Sequence, residues 1–330
     1  MGGNRLRLIV AIGMVTVIFA VVDGLWLQHS TVSLDSRNFE ELAKTALIVS
    51  ALLMMAKGVT WRLRGDPSPT AKFIRHAAAG LHVLLSTAVL FVPLAVVTTI
   101  FMYLASATER PLVDAYLATR DAALGFDWLS FLEAANKSPL LSGAMTFAYH
   151  SLGPQVVLLF LLLCFCQREE RMLEFVALLA IFSLSAALGM IFYPAVGAYA
   201  YFQPPPELYS NFSATPGMWH YAELEYLRSG EPYRLLLTRT HGLVTFPSFH
   251  TALGMFVVYA CRDFRILAFS VGVLNSVMVV GTIPEGGHHL VDVLVGGALA
   301  LLVIGVVRYG ILNERQLKEA VHVPLLSKGA

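Results

Sequence analysis

The chain has 330 residues, of which 57% are hydrophobic and 14% charged, against about 25% charged in an average soluble domain. That deficit excludes an ordinary water-soluble globule and points to a bilayer as solvent. Its 23 basic and 22 acidic residues leave a formal charge of +1, so no global field favours nucleic acid or an acidic polymer as partner, and function has to come from a local site.

In chain order, apolar runs of the length needed to cross a hydrocarbon core of about 30 Å recur eight times, at 8–27, 42–61, 77–104, 140–166, 173–193, 246–261, 266–283 and 291–307. The basic start of the first is signal-like, yet no small-residue cleavage site follows it, so a retained first span is expected. The second is the weakest, because Lys44 and Lys57 must snorkel toward opposite interfaces. Cys164, Cys166 and Cys261 are odd in number and lack metal-motif spacing, and they read as helix-packing residues. The expected fold class is an all-α polytopic membrane protein.

Lysine and arginine near span ends set the orientation. With the amino terminus inside, 15 of the 23 basic residues fall on inner segments, among them the tight turns QREER and CRDFR and the tail residues Arg315, Lys318 and Lys328; eight fall outside. Both termini are therefore expected in the cytoplasm. Two outer connections, near 105–139 and 194–245, are long enough to suggest function. In the first, PLVDAYLATRDAALGFDW sets apolar residues at helical spacing against Asp114, Arg120 and Asp121 and ends near Gly125. It reads as a short amphipathic helix in the interface, with a solvated connector as the plainer alternative.

Phosphoryl transfer without a metal needs a nucleophile, an acid for the leaving oxygen and donors for the remaining oxygens. Two segments supply such groups. HGLVTFPSFHT, at 241–251, puts Pro247, Ser248 and His250 at the outer mouth of the sixth span, where a first helical turn leaves amides free for an anion. GTIPEGGHHLVDVLVGG, at 281–297, puts His288 and Asp292 four residues apart on one helical face. A carboxylate on one ring nitrogen fixes the tautomer and leaves the other lone pair free to attack phosphorus. Taken singly, each element could be a packing pair or a metal fragment; the topology puts both on one face. His289 is the competing nucleophile, three residues from Asp292. No cluster with metal-ligand spacing accompanies them, so neither metal nor cofactor is expected.

These two elements resemble those of the type 2 phosphatidic acid phosphatase superfamily of membrane lipid phosphatases and phosphotransferases. FPSFH at 246–250 is similar to its Pro-Ser-x-His element, and GGHHLVD at 286–292 to its final His-x-x-x-Asp element. The resemblance implies a six-helix core over 77–309, preceded by a two-span extension, 1–76, and followed by a cytoplasmic tail, 310–330. It further implies His288 as a nucleophile forming phosphohistidine, Asp292 as its orienting partner, His250 as general acid and Ser248 as phosphate ligand. The substrate it implies is a lipid phosphate or phospholipid, met at the periplasmic or lumenal face.

The chain departs from the pattern in its basic residues. Where the family carries Lys-x6-Arg-Pro, this sequence reads MIFYPAVGAYAYF; Arg110 and Pro111 lie in a different loop with Tyr103 in place of lysine, and Thr282 stands where an arginine precedes the nucleophile. These losses, with the phrase LGFDW, make the chain similar to the inositol phosphorylceramide synthase and sphingomyelin synthase branch, and so to an inositolphosphotransferase. Phosphate charge is then expected from Arg234, Arg239 and His241 in the long outer loop, with a solvated loop role as the alternative. Tyr193, Tyr199 and Tyr201 are candidates for a lipid entrance or for interfacial anchoring. His82 and His150 read as packing residues and Asp23 as interfacial. The expected function is a lipid phosphatase or head-group phosphotransferase. Polyprenyl diphosphate hydrolysis would use the same site, and a transporter or silent scaffold is disfavoured because the ionisable residues gather at one face.

Overall fold

A computed structural model describes residues 2–213 and 216–312. Its helices follow the hydropathy: α1 (Gly2–Trp26), α2 (Arg37–Arg62), α3 (Pro69–Ser106), α4 (Asp114–Ala123), α5 (Trp128–Asn136), α6 (Pro139–Phe165) and α7 (Glu169–Phe192), then α8 (Ala198–Phe202), α9 (Tyr221–Arg228), α10 (Phe249–Ala260), α11 (Arg265–Gly281) and α12 (Leu290–Gly305). The protein is an all-α polytopic membrane protein. Among the described residues six helices, α1, α2, α3, α6, α7 and α12 with the π-turn that extends it, are long and apolar enough to cross a membrane. Each of the eight apolar runs is helical, but α10 and α11 have only 12 and 17 residues. At 1.5 Å per residue α10 rises about 18 Å. The rest of its run, up to Pro247, is irregular, and backbone of that kind is tolerated at membrane depth where it lines a cavity.

Local sequence sets the helix starts. Ser68 and Ser138 cap α3 and α6, accepting from the Ala71 amide at 3.2 Å and the Leu141 amide at 3.3 Å, each with proline at the first helical position. The central helix is α7, packed by α1, α3, α6, α10 and α12. Small residues let its neighbours approach: a Cβ added at Gly189 would lie 2.5 Å from Pro247 Cδ. The two amino-terminal spans behave differently. Leu8, Ile12, Val15 and Phe19 of α1 are buried in the main core, whereas α2 packs on α3 and is almost wholly exposed, as expected of a helix bathed in lipid.

Basic ends of the helices converge. Arg5 on α1 pairs with Glu169 of α7 at 2.7 Å, and Arg171 pairs with Asp263, in the turn before α11, at 2.9 Å. The tail residues Arg315, Lys318 and Lys328 lie outside the described residues. At the other end the connections fold over the bundle, tied by a two-stranded parallel sheet in which β1 (Val32–Leu34) pairs with β2 (Tyr233–Leu235), Val32 opposite Tyr233.

The contact between α12 and the head of α10 is as close as backbone permits, since a Cβ at Gly296 would lie 2.5 Å from the Ser248 carbonyl oxygen. Gly296→Ala should therefore cost about 1–3 kcal/mol through overpacking, read as a lower thermal midpoint of the detergent-purified protein. Gly305→Ala, where a Cβ meets open space, should leave the midpoint unchanged or slightly raised.

Candidate active site

The head of α12 is built by residues from far along the chain. Asp121 of α4 accepts from the amides of Leu290 and Val291 at 3.0 and 2.9 Å, so its carboxylate closes the helix amino end. Asp114, two turns earlier on α4, accepts from the amides of Val196 and Gly197, at 2.9 and 2.8 Å. Between these carboxylates lies His289, fully buried, with Nε2 3.5 Å from Asp114 and Nδ1 3.5 Å from Asp121. Burial disfavours its charge, but the two carboxylates prevail and raise its pKa to about 9. The helix at 114–123 is thus no solvated connector: Asp114 and Asp121 are buried and only Arg120 of the three charges faces outward. The legible signal was their seven-residue spacing, which puts both on one face.

The next loop secures His288. Gly125, at φ +76°, ends α4, Asp127 caps α5 through the Ser130 amide at 2.6 Å, and the buried indole of Trp128 donates to the His288 carbonyl at 3.1 Å. The His288 amide donates to the carbonyl of Thr282 at 3.2 Å. Thr282, six residues before His288, is itself buried and donates its hydroxyl to the Val279 carbonyl. His288 Nδ1 faces Asp292 Oδ2 at 3.4 Å, and the same oxygen accepts from the His289 amide at 2.9 Å. Both side chains are buried, so Nε2 is the ring nitrogen left for other contacts.

Ser248 heads α10. Its amide donates to the Asp292 carbonyl at 3.0 Å and its hydroxyl accepts from the Thr251 hydroxyl at 3.1 Å, leaving the Ser248 proton available to donate. Two residues on, the His250 ring stacks on Tyr149 at 4.7 Å and stands 6.4 Å from the His288 ring, centre to centre. The two histidines border a cavity of about 260 Å³. Its apolar wall comes from Phe19 on α1, Phe101 and Met102 on α3, and Ala186 and Met190 on α7. Ser248 and Asp292 stand behind it, fully buried.

The other candidates lie apart. Strand alternation sends Leu235 inward and Arg234 outward, Arg239 is exposed, and neither arginine lines the cavity. His241 is half exposed and pairs with Glu223 at 2.6 Å. The structure therefore does not bring Arg234, Arg239 or His241 to His288: Arg234 is on the outward face of β2, Arg239 is exposed on the turn after it, and Glu223 holds His241. Arg110 donates to the Ile191 carbonyl at 2.7 Å and covers the end of α7. Tyr199 is buried against Trp128 and donates to the Pro284 carbonyl, while Tyr193 and Tyr201 are exposed; none of the three lines the cavity. His150 is exposed and binds the buried Glu285 at 2.8 Å, and Asp23 is buried with no hydrogen-bond partner among the described residues. A residue that sequence reasoning passed over, His220, lines the cavity beside the two histidines.

Fold and site together define a membrane enzyme of the lipid phosphatase type, with a buried His–Asp pair opening on an apolar cavity. A family model of the PAP2 superfamily matches residues 115–306, more than half of the chain, and the protein belongs to that superfamily. No curated protein and no solved structure matches it.

The His289 cluster makes a pH prediction. A histidine whose pKa rises from 6.5 to about 9 on folding contributes stability that is complete below pH 6.5 and lost as pH rises through 9. The thermal midpoint should fall over that window, and His289→Gln should lower it at pH 6 and flatten the dependence. A wild-type midpoint that rises between pH 6.5 and 9 would refute the charged cluster.

Proposed function

We propose that the protein is a phosphohistidine-forming lipid phosphatase or head-group phosphotransferase, with His288 as nucleophile. The observation that carries this is the meeting of His288 and His250 across one cavity whose far wall is apolar. Both rings border that cavity, 6.4 Å apart centre to centre, so a phosphoryl group held there has an imidazole on each side.

The Nε2 lone pair of His288 forms the N–P bond as the P–O bond to the leaving alcohol breaks, and His250 gives that oxygen its proton. Water or an acceptor alcohol, deprotonated by His250, then attacks phosphorus and frees His288. Asp292 holds the proton of Nδ1 and steadies the charge that develops on the ring. The uncapped first-turn amides of α10 receive the equatorial oxygens, and Ser248, buried behind the cavity wall, holds that turn through its hydroxyl contacts with Thr251. Hydrolase and transferase differ only in the second step, and the similarity to the inositolphosphotransferase branch favours an alcohol acceptor. The basic ends gathered at the opposite pole of the bundle support a periplasmic or lumenal site with both termini in the cytoplasm.

Rapid-quench labelling should trap acid-labile phosphate on the wild type and none on His288→Ala. His250→Ala should lose much less with a nitrophenyl phosphate ester than with a lipid phosphate, because an acidic leaving group needs little protonation. Undiminished phosphoenzyme in His288→Ala would reject the assignment. Offering the purified protein lipid phosphates, polyprenyl diphosphates and phospholipids, with and without an alcohol acceptor, separates phosphate release from head-group exchange, and turnover should survive EDTA.

Sidedness has its own test. A thiol at exposed Glu231 (Glu231→Cys in a cysteine-free chain) should react with an impermeant reagent from the non-cytoplasmic side only. Labelling from the cytoplasm would overturn the orientation.

A further inference from the structure

Among the described residues the cavity that adjoins His288 has no arginine or lysine in its wall, yet a phosphate brought there carries negative charge that needs donors. One wall residue is built to supply them. His220 is 4% exposed and lies in the turn before α9. Its Nε2 donates to the Val196 carbonyl at 3.3 Å, while Nδ1 is buried without a hydrogen-bond partner among the described residues. An orphaned buried ring nitrogen costs free energy unless a ligand satisfies it.

The turn that carries His220 is fixed to the segment that carries His288. Gly217 and Gly287, at φ +61° and +71°, meet face to face: a Cβ on Gly217 would lie 2.6 Å from the Gly287 Cα. The Gly287 carbonyl accepts from the Ala198 amide at 2.8 Å, two residues from the carbonyl that holds His220. Burial pushes the imidazolium of His220 down in pKa, and proximity to His288 adds to that shift, which keeps the free site neutral until an anion arrives.

From this geometry we propose that His220 is a phosphate-binding residue, its Nδ1 taking a non-bridging oxygen of the substrate phosphate in place of a basic side chain. The inference rests on the phosphoryl-transfer reading given above. A phosphate monoester that enters as its monoanion brings the proton required. That proton is shared between the phosphate oxygen and Nδ1, so the hydrogen bond exists whichever atom holds it, and the charge-assisted form is the stronger.

The test uses the full chain in detergent, with inorganic phosphate and orthovanadate as probes. Glutamine places its amide nitrogen near the position of Nε2, and asparagine near that of Nδ1. His220→Gln should therefore keep the bond to Val196 and the thermal midpoint but weaken phosphate and vanadate binding by at least about tenfold. His220→Asn should bind within about threefold of wild type, a loss below that of one charge-assisted bond. Wild-type affinity in His220→Gln, or an equal loss in both variants, would overturn the proposal, and should the glutamine variant not fold, the affinity of His220→Asn decides alone. Those failures are distinct from failure of the functional reading, which would appear as a wild type that forms no phosphoenzyme and turns over no lipid phosphate. A wild type that binds neither probe would sink both.

Discussion

Everything at the site depends on one buried charge cluster, His289 between Asp114 and Asp121. Removing charges from water is costly, and such a cluster persists only where each member is paired and the remaining lone pairs are filled. Here the carboxylates also take the amides of Val196, Gly197, Leu290 and Val291. The cluster thereby joins α4, the segment after α7 and the head of α12, beside the hydrophobic packing of Trp128, Ala198 and Tyr199 with Val293. His288 and Asp292 flank it, one residue before and three after, so the proposed nucleophile inherits its position from its neighbour.

The same region solves a problem set by the bilayer. A site for a lipid head group has to be polar, while its surroundings are hydrocarbon, and backbone that leaves a helix there must bind something. The short α10 and the irregular 240–248 segment meet this demand by lining the cavity, with Ser248 tied to Asp292 across the α10–α12 contact. On the opposite wall α1, α3 and α7 present phenylalanine, methionine and alanine. Phe19 belongs to a helix that precedes the family match at 115–306. The first span is therefore part of the site's architecture, whereas α2, equally apolar in sequence, remains peripheral.

Apolar length and spacing by themselves marked the helices of the apolar runs and the shared face of His288 and Asp292. A run of lipid-compatible residues has few other places to go, and residues four apart on a helix share a face in any fold. For that reason the helices of all eight runs and the approach of His288 to Asp292 were legible in the chain, and LGFDW marked a loop whose Trp128 proves to hold the His288 carbonyl. Only tertiary structure decided which polar residues of the long loops face inward. Arg234 and Arg239 are the arginines that most nearly precede FPSFH, yet strand alternation turns Arg234 out and Arg239 is exposed on the turn that follows the strand. His220 carries no local mark, and the spacing of Asp114 and Asp121 marks only a shared face, yet loop-to-loop contact at Gly217 and Gly287 and the amides of α12 draw them in. Those contacts join residues some 70 to 170 positions apart, and pairing over such separations is set by packing and electrostatics of the assembled bundle, which no window of sequence contains.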